Sequence, residues 1–399
     1  MTEGEFGEAS HVILHGEGHP YAALSPTTGF IIPYDVPIVD KSLTFEEASK
    51  CLNTLGKDES GVRYAYLMIT ATDRKLTEVS VVLTFKHVLF LDLSGNFLNL
   101  EALQVLQGMP FLILLRANRN RVESGALNAI HYLQVLCLNI NKIEHTYDIA
   151  QPMLETLQLE FNQIFTAQFD SEKLPKLKEL DLKGNHLMDL SGEYPQSLER
   201  LYLAQNKITR LNELALSKLT HLTTLHLRDN KIRKLNGFTE FLGQLTYLNL
   251  RSNSIMKLRQ FRKLACLPKL ESLVYTDNPL DTKNKPVEIP GEGASEDDEE
   301  VYGEDGELRT VDVDLVRIGV LVLLPNLKRI NKDMVTLQER DEAFLMHDQK
   351  IEQIMSEVSS DEETEPPTTT YTSDVGDSET EEGDQDLTDP RQRSDYEEN

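Results

Sequence analysis

Chemistry needs side chains that hold a metal, move a proton or attack a bond, and this sequence offers few at useful spacing. His11, His15 and His19 recur every fourth residue with Glu17 among them. On a helix that spacing would put metal ligands on one face. Gly16, Gly18 and Pro20 interrupt the same stretch and break a helix there, so it reads as a flexible polar arm. Cys51, Cys137 and Cys266 are far apart, odd in number and outside any Cys-x-x-Cys pair. They fit free thiols in a reducing compartment and cannot build a disulfide framework. No glycine-rich phosphate loop and no His-Glu-x-x-His zinc motif occurs. The sequence therefore predicts no catalytic residues, no cofactor and no small-molecule substrate.

Charge places further limits. The chain has 399 residues and a formal net charge of −26. The acid is concentrated in three stretches. Residues 1–40 hold six acids and no base, 291–310 nine acids and one Arg, and 357–399 sixteen acids and two Arg. The rest carries 35 acids and 37 bases, close to neutrality. A general nucleic-acid binder shows a basic face, so nucleic acid is a poor fit. The start, MTEGEFGEAS, lacks the basic and apolar segments of a signal peptide. The apolar run from Ile318 to Leu324 is too short to span a bilayer. A soluble intracellular protein without a membrane partner is expected. In the tail, Ser359-Ser360-Asp361-Glu362-Glu363 is similar to a site for an acidophilic kinase, whose basic groove would read the carboxylates. The same run also suits a plain solubilising tail.

The elements that must position any functional group come from a repeat. Apolar-x-x-Leu-x-Leu-x-x-Asn-x-apolar occurs nine times with few substitutions, as in LETLQLEFNQI, LERLYLAQNKI and LTTLHLRDNKI. Its asparagines are Asn96, Asn120, Asn141, Asn162, Asn185, Asn206, Asn230, Asn253 and Asn278, spaced by 21 to 25 residues. Leu-x-Leu is the period-2 mark of a short strand with one buried face. In the fifth copy Leu177, Leu180, Leu182 and Leu187 should point inward. One copy cannot bury its own apolar face, so the copies must stack. The Asn should turn the chain and satisfy backbone groups of its own and the adjacent copy, forming a ladder.

Stacking leaves a column of side chains facing outward on the sheet. Between the two strand leucines stand Asp92, Arg116, Cys137, Gln158, Asp181, Tyr202, His226, Asn249 and Val274. The next outward column is Ser94, Asn118, Asn139, Glu160, Lys183, Ala204, Arg228, Arg251 and Thr276. With Arg200 and Tyr247, the C-terminal half presents Arg200, Tyr202, His226, Arg228, Tyr247, Asn249 and Arg251. Tyr and Arg are enriched where interfaces gain their energy, so this cluster is the candidate protein-binding face. Taken singly, each of these residues is better explained as solvating a sheet, since few interface residues carry energy; the docking reading belongs to the cluster as a whole.

Flanking segments complete the organisation. Residues 1–40 form an N-terminal arm and 41–85 an N-terminal cap. The cap should hold a helix from Thr44-Phe45-Glu46-Glu47 to about Leu55, then a degenerate repeat at Tyr64, Leu67, Ile69 and Leu76. The array spans 86–284, with short helical or irregular returns such as Leu211 to Leu219. An acidic insertion, 285–312, precedes a C-terminal cap at 313–356. That cap should carry a partial repeat, Leu323 to Ile330, and a helix from Asp333 through Met355. The insertion and the tail from 357 have the composition of disordered segments.

The repeat period and pattern resemble the intracellular leucine-rich-repeat class. The resemblance implies an α/β solenoid, with a curved parallel sheet on the concave side and short helices or irregular segments on the convex side. The runs LYLAQNKI, LTTLHLRDNKI and LTYLNLRSN, and before them LTFEEASKCLNTLGK and AYLMITATDRKLTEV, narrow it to the leucine-rich repeat-containing protein 23 family. The resemblance covers about residues 43–280. It implies a structural, non-enzymatic component of the radial spoke head in the axoneme of motile cilia and sperm flagella, bound to other spoke proteins. Two other functions use the same scaffold: a regulatory subunit that docks a phosphatase or kinase, and an RNA-associated protein of the spliceosomal type.

Overall fold

A computed structural model of the chain describes residues 39–58, 61–282 and 314–356. The His11–His19 arm, the acidic insertion and the Ser359-Ser360 run lie outside the described residues.

Nine of the strands are three residues long and come one per repeat. They are β3 (Phe90–Asp92), β4 (Leu114–Arg116), β5 (Val135–Cys137), β6 (Thr156–Gln158), β7 (Glu179–Asp181), β8 (Arg200–Tyr202), β9 (Thr224–His226), β10 (Tyr247–Asn249) and β11 (Ser272–Val274). Each pairs in parallel with the next, and the central residues, such as Leu180 and Leu201, stand opposite one another. Those central leucines are fully buried, as are Leu177 and Leu182. One apolar core runs from Leu43 to Ala343. The returns are irregular, make single helical turns, as in α2 (Leu100–Gln104) and α3 (Glu213–Ser217), or coil more tightly, as over Leu258–Cys266. Asn99 and Asn212 cap α2 and α3 by accepting from the N–H groups of Ala102 and Ala215.

Asn185 shows how consecutive repeats are joined. Its Oδ1 accepts from the Ile164 N–H of the preceding repeat at 3.2 Å. Its Nδ2 donates to Leu159 O of that repeat at 2.9 Å and to Leu182 O of its own at 3.0 Å. Leu182 O also accepts from Asn206. Each such carbonyl is thus shared between two asparagines, and the pattern continues at Leu203, Leu227 and Leu250. All nine asparagines are buried. The residue before each has a positive φ: Gly95, Arg119, Ile140, Phe161, Gly184, Gln205, Asp229, Ser252 and Asp277. That left-handed step turns the chain out of the strand and strains every non-glycine residue in the column. At Gly184 a Cβ would also meet the Phe161 ring at 2.3 Å.

Both caps differ from expectation. Helix α1 (Phe45–Lys50) has the predicted Thr44/Glu47 capping box but ends at Lys50. The residues expected to continue it form β1 (Leu52–Lys57), antiparallel to β2 (Tyr64–Thr70), which in turn runs parallel to β3. Gly56 allows the close approach, because a Cβ there would meet Leu67 Cδ1 at 2.4 Å. Ile69 and Leu76 enter the core as the degenerate repeat requires, whereas Tyr64 is exposed.

After α4 (Pro279–Thr282), the C-terminal cap begins with α5 (Leu315–Leu323). Asp333 starts no helix. It lies in β13 (Asp333–Met334), a hairpin partner of β12 (Arg329–Ile330). The turn residues Asn331 and Lys332 have φ of 52° and 78°, the geometry of a tight primed turn. Helix α6 (Leu337–Leu345) starts instead at Thr336, capped reciprocally with Glu339, and a break at Met346 separates it from α7 (His347–Ser356). Arg317 binds the parts together. It contacts Glu339 and donates to Ile330 O at 2.8 Å and Met334 O at 3.2 Å.

Candidate protein-binding face

The Arg-Leu-Tyr, Thr-Leu-His and Tyr-Leu-Asn triplets of β8, β9 and β10 bury their central Leu and turn both neighbours to the opposite face. Adjacent parallel strands lie ~4.8 Å apart, so rings on neighbouring strands must meet. Tyr202 and His226 have ring centroids 4.9 Å apart, and His226 and Tyr247 5.0 Å apart with planes 27° from parallel. The three rings form a continuous aromatic band across three repeats.

Its electrostatics follow from burial. Desolvation lowers the His226 pKa to about 4, so the ring is neutral at physiological pH. Burial also raises the hydroxyl pKa of Tyr202 and of Tyr247. Beside the band each Arg already has an acidic partner. Arg200 meets Glu179 at 2.8 Å, Arg228 meets Asp229 at 3.1 Å and Arg251 meets Asp277 at 2.6 Å. The surface is therefore aromatic and charge-paired, without a bulk positive field.

The structure brings Arg200, Tyr202, His226, Arg228, Tyr247 and Arg251 onto this face. Asn249, expected to be exposed, is buried. It stands opposite His226, its Oδ1 accepts from the Arg251 N–H at 3.0 Å, and its amide reaches the Tyr247 hydroxyl. Asn249 supports the tyrosine and is not a contact residue. Cys137, Val274 and Ser94 of the outward columns are buried as well. Burial pushes the Cys137 thiol up to about 12, which removes it as a nucleophile.

Two features escaped sequence reasoning. In the N-terminal half of the face, Asp181 lies beside Glu160, and burial and that neighbouring charge both raise its pKa. The second is a shallow depression on the flank of the third and fourth repeats, lined by His145, Tyr147 and Phe165. Tyr147 and Phe165 are exposed there. The signal was a large apolar residue just outside the repeat pattern. Among the described residues no group of His, Cys, Asp or Glu could hold a metal ion, and no helix is long and apolar enough to cross a membrane.

The leucine rich repeat family model matches residues 175–232 and 196–255. The chain is 33% identical to human leucine-rich repeat-containing protein 23, over 81% of this chain and 85% of the relative. The Xenopus tropicalis protein of that name is 36% identical, over 73% of this chain and 74% of the relative. Among solved structures, an internalin from Listeria monocytogenes aligns with a TM-score of 0.40 at 16% identity, covering 68% of this chain and 84% of its own. With two such relatives aligned over most of both chains, this protein belongs to the leucine-rich repeat-containing protein 23 family.

Proposed function

We propose that this chain is a non-enzymatic scaffold that holds another protein on its concave face, as a component of the radial spoke head in the axoneme of a motile cilium or flagellum. The observation that carries the binding role is the aromatic band of Tyr202, His226 and Tyr247 with its paired arginines. Aromatic rings offer much apolar area at little entropic cost, and an Arg already held in place loses little freedom on binding. The axonemal setting rests on the family's role, carried over to a chain of that family. Other spoke proteins are the partners this reading requires.

Affinity purification from ciliated cells tests both parts. The natural chain should recover spoke proteins, and antibodies should stain the axoneme. Tyr202→Ala with Tyr247→Ala should remove that recovery while the fold stays intact, because interface hot spots lose ~2 kcal/mol or more each on truncation. Recovery of a phosphatase or kinase catalytic subunit in place of spoke proteins, or staining confined to cytosol, would overturn the axonemal reading. Undiminished recovery by the double variant would overturn the face.

A further inference from the structure

The flank of the seventh and eighth repeats carries a charge imbalance found neither on the concave face nor in the core as a whole. Residues 231–263 contain eight Lys or Arg and one acid, Glu240. Arg251 turns to the concave face and pairs with Asp277. The other seven are Lys231, Arg233, Lys234, Lys257, Arg259, Arg262 and Lys263. Lys231, Arg233 and Lys234 follow the seventh Asn turn, Lys257 stands just before the convex turn Leu258–Cys266, and the other three lie on that turn. The two segments are tied together. The Leu235 N–H donates to Gln260 Oε1 at 3.0 Å, Arg233 reaches Met256 Sδ, and Lys263 donates to Asn236 Oδ1. The result is one basic strip across two repeats.

The chain passes this strip twice. It leaves the array at α4, where the Leu280 N–H donates to Ile255 O at 3.1 Å, two residues from Lys257. It returns at Asp314, which caps α5 by accepting from the N–H groups of Val316 and Arg317. Helix α5 presses directly on the basic turn, since a Cβ at Gly319 would come within 2.3 Å of Leu258. Residues 283–313 join these two points and hold eleven acids against three bases. Five of those acids are consecutive: Glu296, Asp297, Asp298, Glu299 and Glu300.

We infer that the acidic segment 291–310 occupies the basic strip of its own chain. A formal charge of −8 over 283–313 faces a net +6 from the seven bases of the strip and Glu240. Both ends of the connecting segment are anchored beside the strip, so the encounter is intramolecular, with an effective concentration of about millimolar. At ~3.3 Å per residue its reach greatly exceeds the dimensions of two repeats. An acidic polypeptide from another molecule would have to displace this tethered one.

Zero-length carbodiimide crosslinking of the full chain, read by mass spectrometry, tests the inference because it joins a carboxylate only to an amine in contact. Crosslinks from 291–310 should concentrate on Lys231, Lys234, Lys257 and Lys263. They should fall several-fold between about 0.05 M and 0.5 M salt, as screening shortens the range of exposed charges. Crosslinks spread evenly over Lys41, Lys173, Lys178 and Lys218, or joining labelled to unlabelled chains, would overturn it. A second measurement uses a synthetic peptide of residues 291–310. It should bind at least tenfold more tightly to a chain carrying Glu296→Gln, Asp297→Asn, Asp298→Asn, Glu299→Gln and Glu300→Gln than to the natural chain. Equal binding to the two chains, or none to either, would show that the strip is not held by this segment.

Discussion

Replacing Asn185 by Ala tests whether the shared-carbonyl ladder holds the array together. The side chain is buried and makes three principal bonds, but their loss is unequal. Leu159 O keeps a bond from Asn162, and Leu182 O keeps one from Asn206. The Ile164 N–H loses the Asn185 oxygen and is left buried. A buried group without a partner costs ~1–3 kcal/mol, and each bond lost from a carbonyl that keeps another costs about 0.5–1 kcal/mol. The sum is about 2–5 kcal/mol, a large share of the ~5–15 kcal/mol that a domain has in total. Urea unfolding followed by far-UV circular dichroism should show a midpoint lowered by about 1 M or more, given slopes of ~1–3 kcal/mol per M. Asn185→Asp sharpens the test. Its carboxylate can still accept from Ile164 but faces two carbonyl oxygens at 2.9 and 3.0 Å. At pH 8 it should therefore be less stable than Asn185→Ala. It should recover toward pH 5, because a protonated carboxyl regains a donor and its pKa in this site is raised above ~3.9. A loss below about 0.5 kcal/mol for the alanine variant, or an aspartate variant as stable as it at pH 8, would refute the ladder as a stabilising device.

Three further outcomes are expected. Ile140 holds a β-branched side chain at φ 56°, so Ile140→Gly should raise stability by about 1 kcal/mol in the same unfolding assay, despite the greater freedom glycine gives the unfolded chain. For Glu339, burial raises the pKa, but hydrogen bonds from Arg317 and Thr336 outweigh it and lower the pKa overall. A lowered carboxylate pKa contributes stability that is complete above the unfolded value of ~4.3 and is lost as pH falls through the folded one. Below about pH 4 the C-terminal cap should therefore loosen first by hydrogen exchange, and Arg317→Met should weaken that pH dependence, leaving the part due to Thr336. The His226 imidazole should show one neutral NMR signature from pH 8 down to pH 5, with its midpoint at about 4, and Tyr202→Ala should move that midpoint toward 6.5.

The repeat was legible because each of its demands falls on a fixed residue type. Leucines must fill a stack and an Asn must serve two repeats, so Leu180 and Asn185 announce themselves. The caps have no such redundancy. Thr44 and Glu47 signal where a helix begins, but its end at Lys50 depends on Leu52–Lys57 pairing with Tyr64–Thr70 in a hairpin. Asp333 looked like a helix start because the tight turn at Asn331 and Lys332 carries no strong signal, whereas the Thr336/Glu339 box three residues later carried the true one. On the binding face, alternation correctly turned Tyr202 and His226 away from the core. It could not foresee that Asn249 and Cys137 would be buried, since alternation fixes the face a residue takes and says nothing of its neighbours in the adjacent repeat. The Asp181–Glu160 proximity was hidden for the same reason.

The two antiparallel hairpins, β1 with β2 and β12 with β13, give the array a fixed size. A parallel sheet grown by repetition offers the same open edge at every stage, and identical copies could in principle join end to end without limit. Here both outer strands run backwards, so a second molecule presented in the direction of the repeats meets the wrong polarity at either end. The nine repeat strands then act as a ruler. At ~4.8 Å per step they measure out about 38 Å of concave surface, and a partner must match that length within one molecule.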